Sequence, residues 1–186
     1  MLTDLGLKLK IVSTEIPEIP NPGESPLSFS RRMAWRKTDL VSAVYFRHWV
    51  LGADTVVVLE KTLFGKPENS GEARKFLQAL SGKTHQVITS FCLLNRALKR
   101  SIARSVSTRV TFKPLSPREI DWYIQTREPL DKAGAYAIQG KGAFCVQKIR
   151  GSYTNVVGLP VTEVLEALEK YAGFRLGSSK LKGNIN

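Results

Sequence analysis

The chain has 186 residues, 42% of them apolar and 24% charged, with 28 Lys and Arg against 16 Asp and Glu for a formal net charge of +12. That balance suits a globular domain whose core is built from side chains, and no low-complexity tract argues otherwise. No apolar run approaches the ~18 residues of a membrane span. The stretch MLTDLGLKLKIVSTEIPEIP lacks an apolar h-region and a small-residue cleavage site, so cytoplasm is the expected compartment. Cys92 and Cys145 sit in apolar, strand-like runs and are expected as reduced core thiols, a single disulfide being the alternative. The excess of positive charge points to polyanionic partners, whether phosphate-rich small molecules, nucleic acid or acidic surfaces. No aromatic ladder interleaves the basic residues, and no helix-turn-helix or zinc-finger spacing appears, so nucleic acid is not the favoured partner.

In chain order, residues 7–16 read as a short strand and PEIPNPGESP (17–26) as a loop. A helix is expected over 27–44, with Phe29, Met33, Leu40 and Val44 as its apolar contacts. Residues 49–59 read as two strands broken near Asp54, and EKTL turns the chain into a hairpin arm ending at Phe64. Ala73, Phe76, Leu77 and Leu80 have helical spacing, which predicts a helix over 70–81 capped by Asn69 or Ser70 and ended by Gly82. Strands over 85–94 and 102–112 follow, joined by a basic hairpin loop. SPRE (116–119) is a capping box opening a helix whose Ile120, Tyr123 and Ile124 face inward. GKGAFCVQKIRG contains a further strand. Val161, Val164, Leu165, Leu168 and Ala172 predict a last amphipathic helix closed by Gly173. Mixed strands and helices argue for an α/β class, with one domain over 1–176 and a polar basic tail over 177–186.

Four stretches carry polar groups that core packing does not explain. They are GADT with Asp54 and Thr55, FGKP with Lys66, EPLDKAGAYAIQGKG with Glu128, Asp131, Lys132 and Gln139, and GSYTNVVGLP. Carboxylates hold Mg²⁺ beside substrate phosphates. Lysines neutralise phosphate charge, a Gln reads a base edge with a donor and an acceptor, and glycines let backbone amides approach phosphates. The set points to metal-assisted phosphoryl transfer or phosphate hydrolysis. Taken singly, each residue has a plainer reading: Asp54 as an Asx-turn or cap residue, Lys66 as a surface lysine, Asp131 and Lys132 as solvated loop charges. His48 and His85 lack partners at metal-ligand spacing.

Taken in order, LGADTVVVL, GKP, ARKFLQALSGKTHQVIT, VTFKPLSPREIDWYI, EPLDKAGAYAIQGKGA and IRGSYTNVVGLP resemble the Maf family of nucleoside triphosphate pyrophosphatases, from about Leu5 to Leu176. The resemblance implies an elongated α/β fold like that of inosine-triphosphate pyrophosphatases, a mixed curved sheet with flanking helices and a cleft between two lobes. It implies an enzyme that hydrolyses a nucleoside triphosphate to monophosphate and pyrophosphate, with a divalent cation (Mg or Mn) as cofactor, in the cytoplasm and with a homodimer as the candidate assembly. Asp54 matches the family's proposed general base. Thr55 and Gln139 match positions linked to base selection. Glu18 is a candidate metal partner of Asp54, and Lys37, Lys66 and Lys132 are candidate substrate-binding lysines. GADT, SGKTHQV and DKAGAYAIQG resemble the branch acting on dTTP and UTP, whereas the branch acting on 7-methyl-GTP typically carries GSDQ.

The sequence departs from that pattern at its start. The family begins with a strand and an SxSPRR loop, while MLTDLGLKLKIV resembles the end of the helix that follows them. SFSRR (28–32) leads into MAWRK and matches a different helix. Two expectations follow: a start assigned too late, or a shortened chain acting as a weak or inactive nucleotide- or nucleic-acid-binding paralogue. The same chemistry on a modified purine triphosphate is a further alternative.

Overall fold

The computed structural model describes residues 1–177; residues 178–186, most of the expected basic tail, lie outside the described residues. A five-stranded sheet has the order β2-β1-β3-β4-β5. Its strands are β1 (Val50–Leu59), β2 (Thr62–Phe64), β3 (Thr84–Asn95), β4 (Arg100–Phe112) and β5 (Val146–Arg150). β1 and β2 form the expected hairpin arm, antiparallel with Val57 opposite Phe64. β5 runs antiparallel to β4 with Arg109 opposite Arg150 and an irregularity between Thr111 and Phe112. The helices are α1 (Pro26–Val44), α2 (Ser70–Leu80), α3 (Pro117–Gln125), α4 (Tyr153–Val157) and α5 (Val161–Ala172). The α/β class is thus observed.

The chain divides into two compact units. The first comprises Met1–Asp54, Ser90–Ser105 and the chain from Leu159. Its core gathers Leu2, Phe91, Leu93, Val164 and Ala167. The second comprises Thr55–Thr89 and Val106–Gly158. There α2 and α3 pack Ala73, Leu77, Leu80, Ile120, Tyr123 and Ile124 with Val57, Val87, Val110 and Phe112. Local signals account for the element ends. Asn69 accepts the Glu72 amide at the start of α2. Ser116 and Glu119 form the reciprocal capping box of α3. Gly173 ends α5 in the left-handed region. Cys92 and Cys145 are both buried and free, as thiols.

Three expectations change. Residues 7–16 form no strand, and Leu9, Ile11 and Val12 are exposed. β1 is continuous through Asp54 rather than broken there. In α1, Leu40 and Val44 face solvent, and the buried face is Phe29, Ser30, Met33, Ala34, Thr38 and Ser42. The small polar members of that face find partners inside: Ser30 with Ser90 at 2.7 Å, Thr38 with the Ala34 carbonyl at 2.7 Å, Ser42 with the Asp39 carbonyl at 2.8 Å.

Candidate active site

In the first unit, β1 delivers Asp54 and α1 delivers Lys37. Their meeting depends on Gly52, two residues before Asp54 and so on the same strand face. A Cβ at Gly52 would collide with Thr38 Oγ1 and lie 3.0 Å from the Thr38 amide nitrogen and 3.1 Å from the Ala34 carbonyl oxygen. Only glycine permits this approach of helix to strand, and Lys37 is Thr38's neighbour. Lys37 Nζ donates to Asp54 Oδ1 at 2.6 Å and lies 2.7 Å from Glu18 Oε1. The Asp54 side chain is only 6% exposed, against 39% for Glu18. Burial pulls the Lys37 ammonium pKa down, but the hydrogen bonds and charges of Asp54 and Glu18 outweigh it, and the net direction is up. The cost of the carboxylate in GADT is therefore offset by a lysine seventeen residues earlier. Three predicted residues, Glu18, Lys37 and Asp54, form one cluster in which both carboxylates meet the same ammonium.

Glu18 lies in a segment without regular secondary structure, and Arg32 of α1 anchors that segment. Its guanidinium forks onto Glu24, Nε to Oε1 at 2.7 Å and Nη2 to Oε2 at 2.5 Å, and Nη2 donates to the Ile19 carbonyl at 2.9 Å. The hydrogen bond from Arg32 holds the Glu24 carboxyl down at about 2. Arg31 Nε donates to Ser105 Oγ at 2.9 Å. The arginines of SFSRR therefore serve local structure.

In the second unit, Thr55 is half-buried and wired to the loop after β5. Its hydroxyl lies 2.9 Å from Thr89 Oγ1 and 3.3 Å from the Gly158 carbonyl. Thr89 donates its only proton to the Asn155 carbonyl at 3.0 Å. Thr55 must then be the donor toward Thr89 or Gly158, so its hydroxyl keeps only acceptor capacity for anything else. Asn155, fully buried, donates through Nδ2 to the Val87 carbonyl and to Thr108 Oγ1, both at 3.0 Å. Sequence reasoning missed Asn155 and Thr89 as organisers of this loop; GSYTNVVGLP drew attention by its glycines alone.

Lys66 is exposed in the turn after β2, and Lys132 is paired with its neighbour Asp131 at 2.9 Å with both side chains exposed. The Gly134 amide donates to the Gly65 carbonyl at 2.9 Å, which ties the FGKP turn to the DKAGA loop. Gly134 is left-handed (φ 69°), and a Cβ there would lie 2.9 Å from a Val57 methyl; Ala135 follows at φ 57°, an uncommon conformation for a residue with a side chain. Gln139 is exposed between Ile138 and Gly140. Among the described residues no group of three or more His, Cys, Asp or Glu is gathered to hold a metal. No helix among them is long and apolar enough to cross a membrane.

Known proteins align with this chain over nearly its whole length. A dTTP/UTP pyrophosphatase of Geobacter sulfurreducens is 44% identical over 170 residues, 91% of this chain and 89% of that protein. The dTTP/UTP pyrophosphatase of Geobacter metallireducens is 45% identical over 168 residues, 90% of this chain and 88% of its own. That of Clostridioides difficile is 42% identical over 176 residues, 95% of this chain and 91% of its own. The family model described as Maf-like protein matches residues 1–171, and the chain belongs to that family.

Proposed function

We propose that the protein hydrolyses dTTP and UTP to the nucleoside monophosphate and pyrophosphate, the activity named for the relatives above. The observation that carries the chemistry is the cluster of Asp54, Glu18 and Lys37. Asp54 orients a water and takes its proton as the oxygen attacks the α-phosphorus. The bond from that phosphorus to the bridging oxygen breaks, and pyrophosphate leaves with the electron pair. Lys37, Lys66 and Lys132 are the cations proposed to face the phosphate oxygens. One domain over residues 1–176 belongs to the same reading, supported by a single family model over 1–171.

A divalent cation fits the donor set. Two carboxylates converge on one ammonium, and Mg²⁺ typically takes one or two carboxylates and completes its shell with water and substrate phosphates. Glu18 and Asp54 would hold it, and it would supply charge neutralisation on the triphosphate.

Thr55 and Gln139 are proposed to read the base. Thr55, left with acceptor capacity only, suits the N3–H donor of thymine and uracil and offers nothing to the bare N3 of cytosine. The test is pyrophosphate release from dTTP, UTP, CTP, GTP and 7-methyl-GTP with Mg²⁺ or Mn²⁺. Release from dTTP and UTP ahead of CTP, abolished in Asp54→Asn, is expected. Turnover of purine substrates alone, or turnover indifferent to Asp54→Asn, would overturn the reading.

A further inference from the structure

The loop that presents Gln139 is built around one carboxylate. After α3 the chain passes through Arg127, left-handed at φ 61°, into half-buried Glu128. Glu128 Oε1 accepts the Tyr123 hydroxyl and the Gly142 amide, each at 2.9 Å, and Oε2 accepts the Lys141 amide at 3.0 Å. The Tyr123 oxygen in turn accepts the Ala137 amide at 3.1 Å. The backbone is therefore held two residues before Gln139 and again two and three residues after it. Gln139 makes no side-chain hydrogen bond among the described residues, so its placement comes from its flanks.

The glycines of QGKG follow from the same clamp. Gly140 is left-handed at φ 76°, and a Cβ on it would lie 2.9 Å from Glu128 Oε2. A Cβ on Gly142 would collide with the Tyr123 hydroxyl and the Ala137 carbonyl oxygen. Burial of Glu128 raises its carboxyl pKa, but the Lys141 and Gly142 amides and the Tyr123 hydroxyl outweigh it and the net direction is down, so the group is an all-acceptor carboxylate at neutral pH.

We propose that Glu128, acting with Tyr123, is a positioning residue that fixes Gln139 and thereby sets which nucleobase is accepted. The proposal rests on the reading of Gln139 as a base-contacting residue. Displacement of a contacting group by about 1 Å can cost on the order of a hundredfold, so loosening the clamp has a measurable consequence.

The test uses the full chain as Glu128→Gln, Glu128→Ala, Tyr123→Phe and Gln139→Ala. A Gln at 128 retains one acceptor but sets N–H donors against the Lys141 amide; an Ala loses every bond. The UTP-to-CTP ratio of kcat/KM is expected to fall about tenfold in Glu128→Gln and Tyr123→Phe and further in Glu128→Ala, with KM for UTP moving more than kcat. Amides of residues 137, 141 and 142 should exchange faster with solvent. In a Gln139→Ala background, Glu128→Gln should leave the ratio where Gln139→Ala alone put it. An unchanged ratio in Glu128→Gln, or an equal further fall in the Gln139→Ala background, overturns the proposal, the latter because it reports general damage. If the wild-type protein releases no pyrophosphate from any of these nucleotides, the functional reading fails, and the clamp is then judged by exchange alone: unchanged exchange at 137, 141 and 142 in Glu128→Gln overturns it, and acceleration supports it.

Discussion

Replacing Lys37 by Met removes the cation from a carboxylate that cannot reach water easily. The Asp54 side chain is 6% exposed and Lys37 21% exposed, so the pair is largely shielded. Breaking a buried pair from one side costs about 3–5 kcal/mol, and the 39% exposure of Glu18 gives part of the displaced charge access to solvent, which argues for the low end, about 3 kcal/mol. In a chain of this size each kcal/mol moves the melting temperature by about 2–4 °C, so Lys37→Met should melt roughly 6–12 °C lower. Adding Asp54→Asn removes the buried charge that faced the lysine and should recover at least about half of that loss, because what is costly is burying the carboxylate's charge without the ammonium rather than the missing bond itself. Mg²⁺ should raise the melting temperature of Lys37→Met more than that of the wild type, since the carboxylates would accept it in place of the ammonium. Calorimetry or dichroism melts read all three. A Lys37→Met protein melting within about 2 °C of wild type, or a double variant worse than the single one, would refute the reasoning.

Gly52→Ala should cost about 1–3 kcal/mol by forcing α1 off β1, and should lower pyrophosphate release as well, because Thr38, which the new methyl meets, adjoins Lys37; unchanged melting and turnover would contradict the packing argument. The acid limb of stability should report Glu24 and Glu119, held at about 2 by Arg32 and by Lys113 respectively, against 4.5 for the free side chain. A depressed folded pKa contributes stability that is present above about pH 4.5 and is lost as pH falls toward 2. Glu24→Gln should therefore flatten the dependence of melting temperature on pH within that window and leave it alone above, and a limb of unaltered slope would show that the fork onto Arg32 stabilises nothing.

What the sequence discloses depends on how far apart the cooperating groups lie. The α2 and α3 starts are legible because cap and recipient are three residues apart, Asn69 with Glu72 and Ser116 with Glu119. The end of α5 is legible because Gly173 takes the left-handed conformation that stops the helix. By local rules Asp54 breaks its strand, because they have no place for a carboxylate among valines; the strand runs through, and Lys37, on another element, pairs with the carboxylate. The apolar period of α1 misled in the opposite sense. Leu40 and Val44 have the right chemistry for a core, but beside Phe29 and Met33 the helix buries Ser30, Ala34, Thr38 and Ser42 instead, because Gly52 brings the strand backbone close to Ala34 and Thr38. Glu128 stood in view as one polar residue of a loop; its role becomes visible only when the amides of residues 141 and 142 are seen to return to it. The one signal available beforehand was the pair of glycines at 140 and 142, which marks a close approach without saying to what.

The positive charge shows the same limit. Arg31, Arg32, Arg36 and Lys37 lie close together in the sequence and contribute to the net charge that points to polyanionic partners. In the fold Arg31 is bonded to Ser105, Arg32 to Glu24 and the Ile19 carbonyl, and Lys37 to Asp54 and Glu18. Arg32 and Lys37 therefore hold the irregular segment 17–24 and β1 against one helix, and Arg31 ties the same helix to β4. The segment has no ladder of its own, so the position of Glu18 is a consequence of Arg32: the fork fixes Glu24, the same guanidinium fixes Ile19, and Glu18 is delivered beside Lys37. A helix rich in basic residues is here an organiser of acidic ones, and net charge speaks about partners only after such internal pairs have been subtracted.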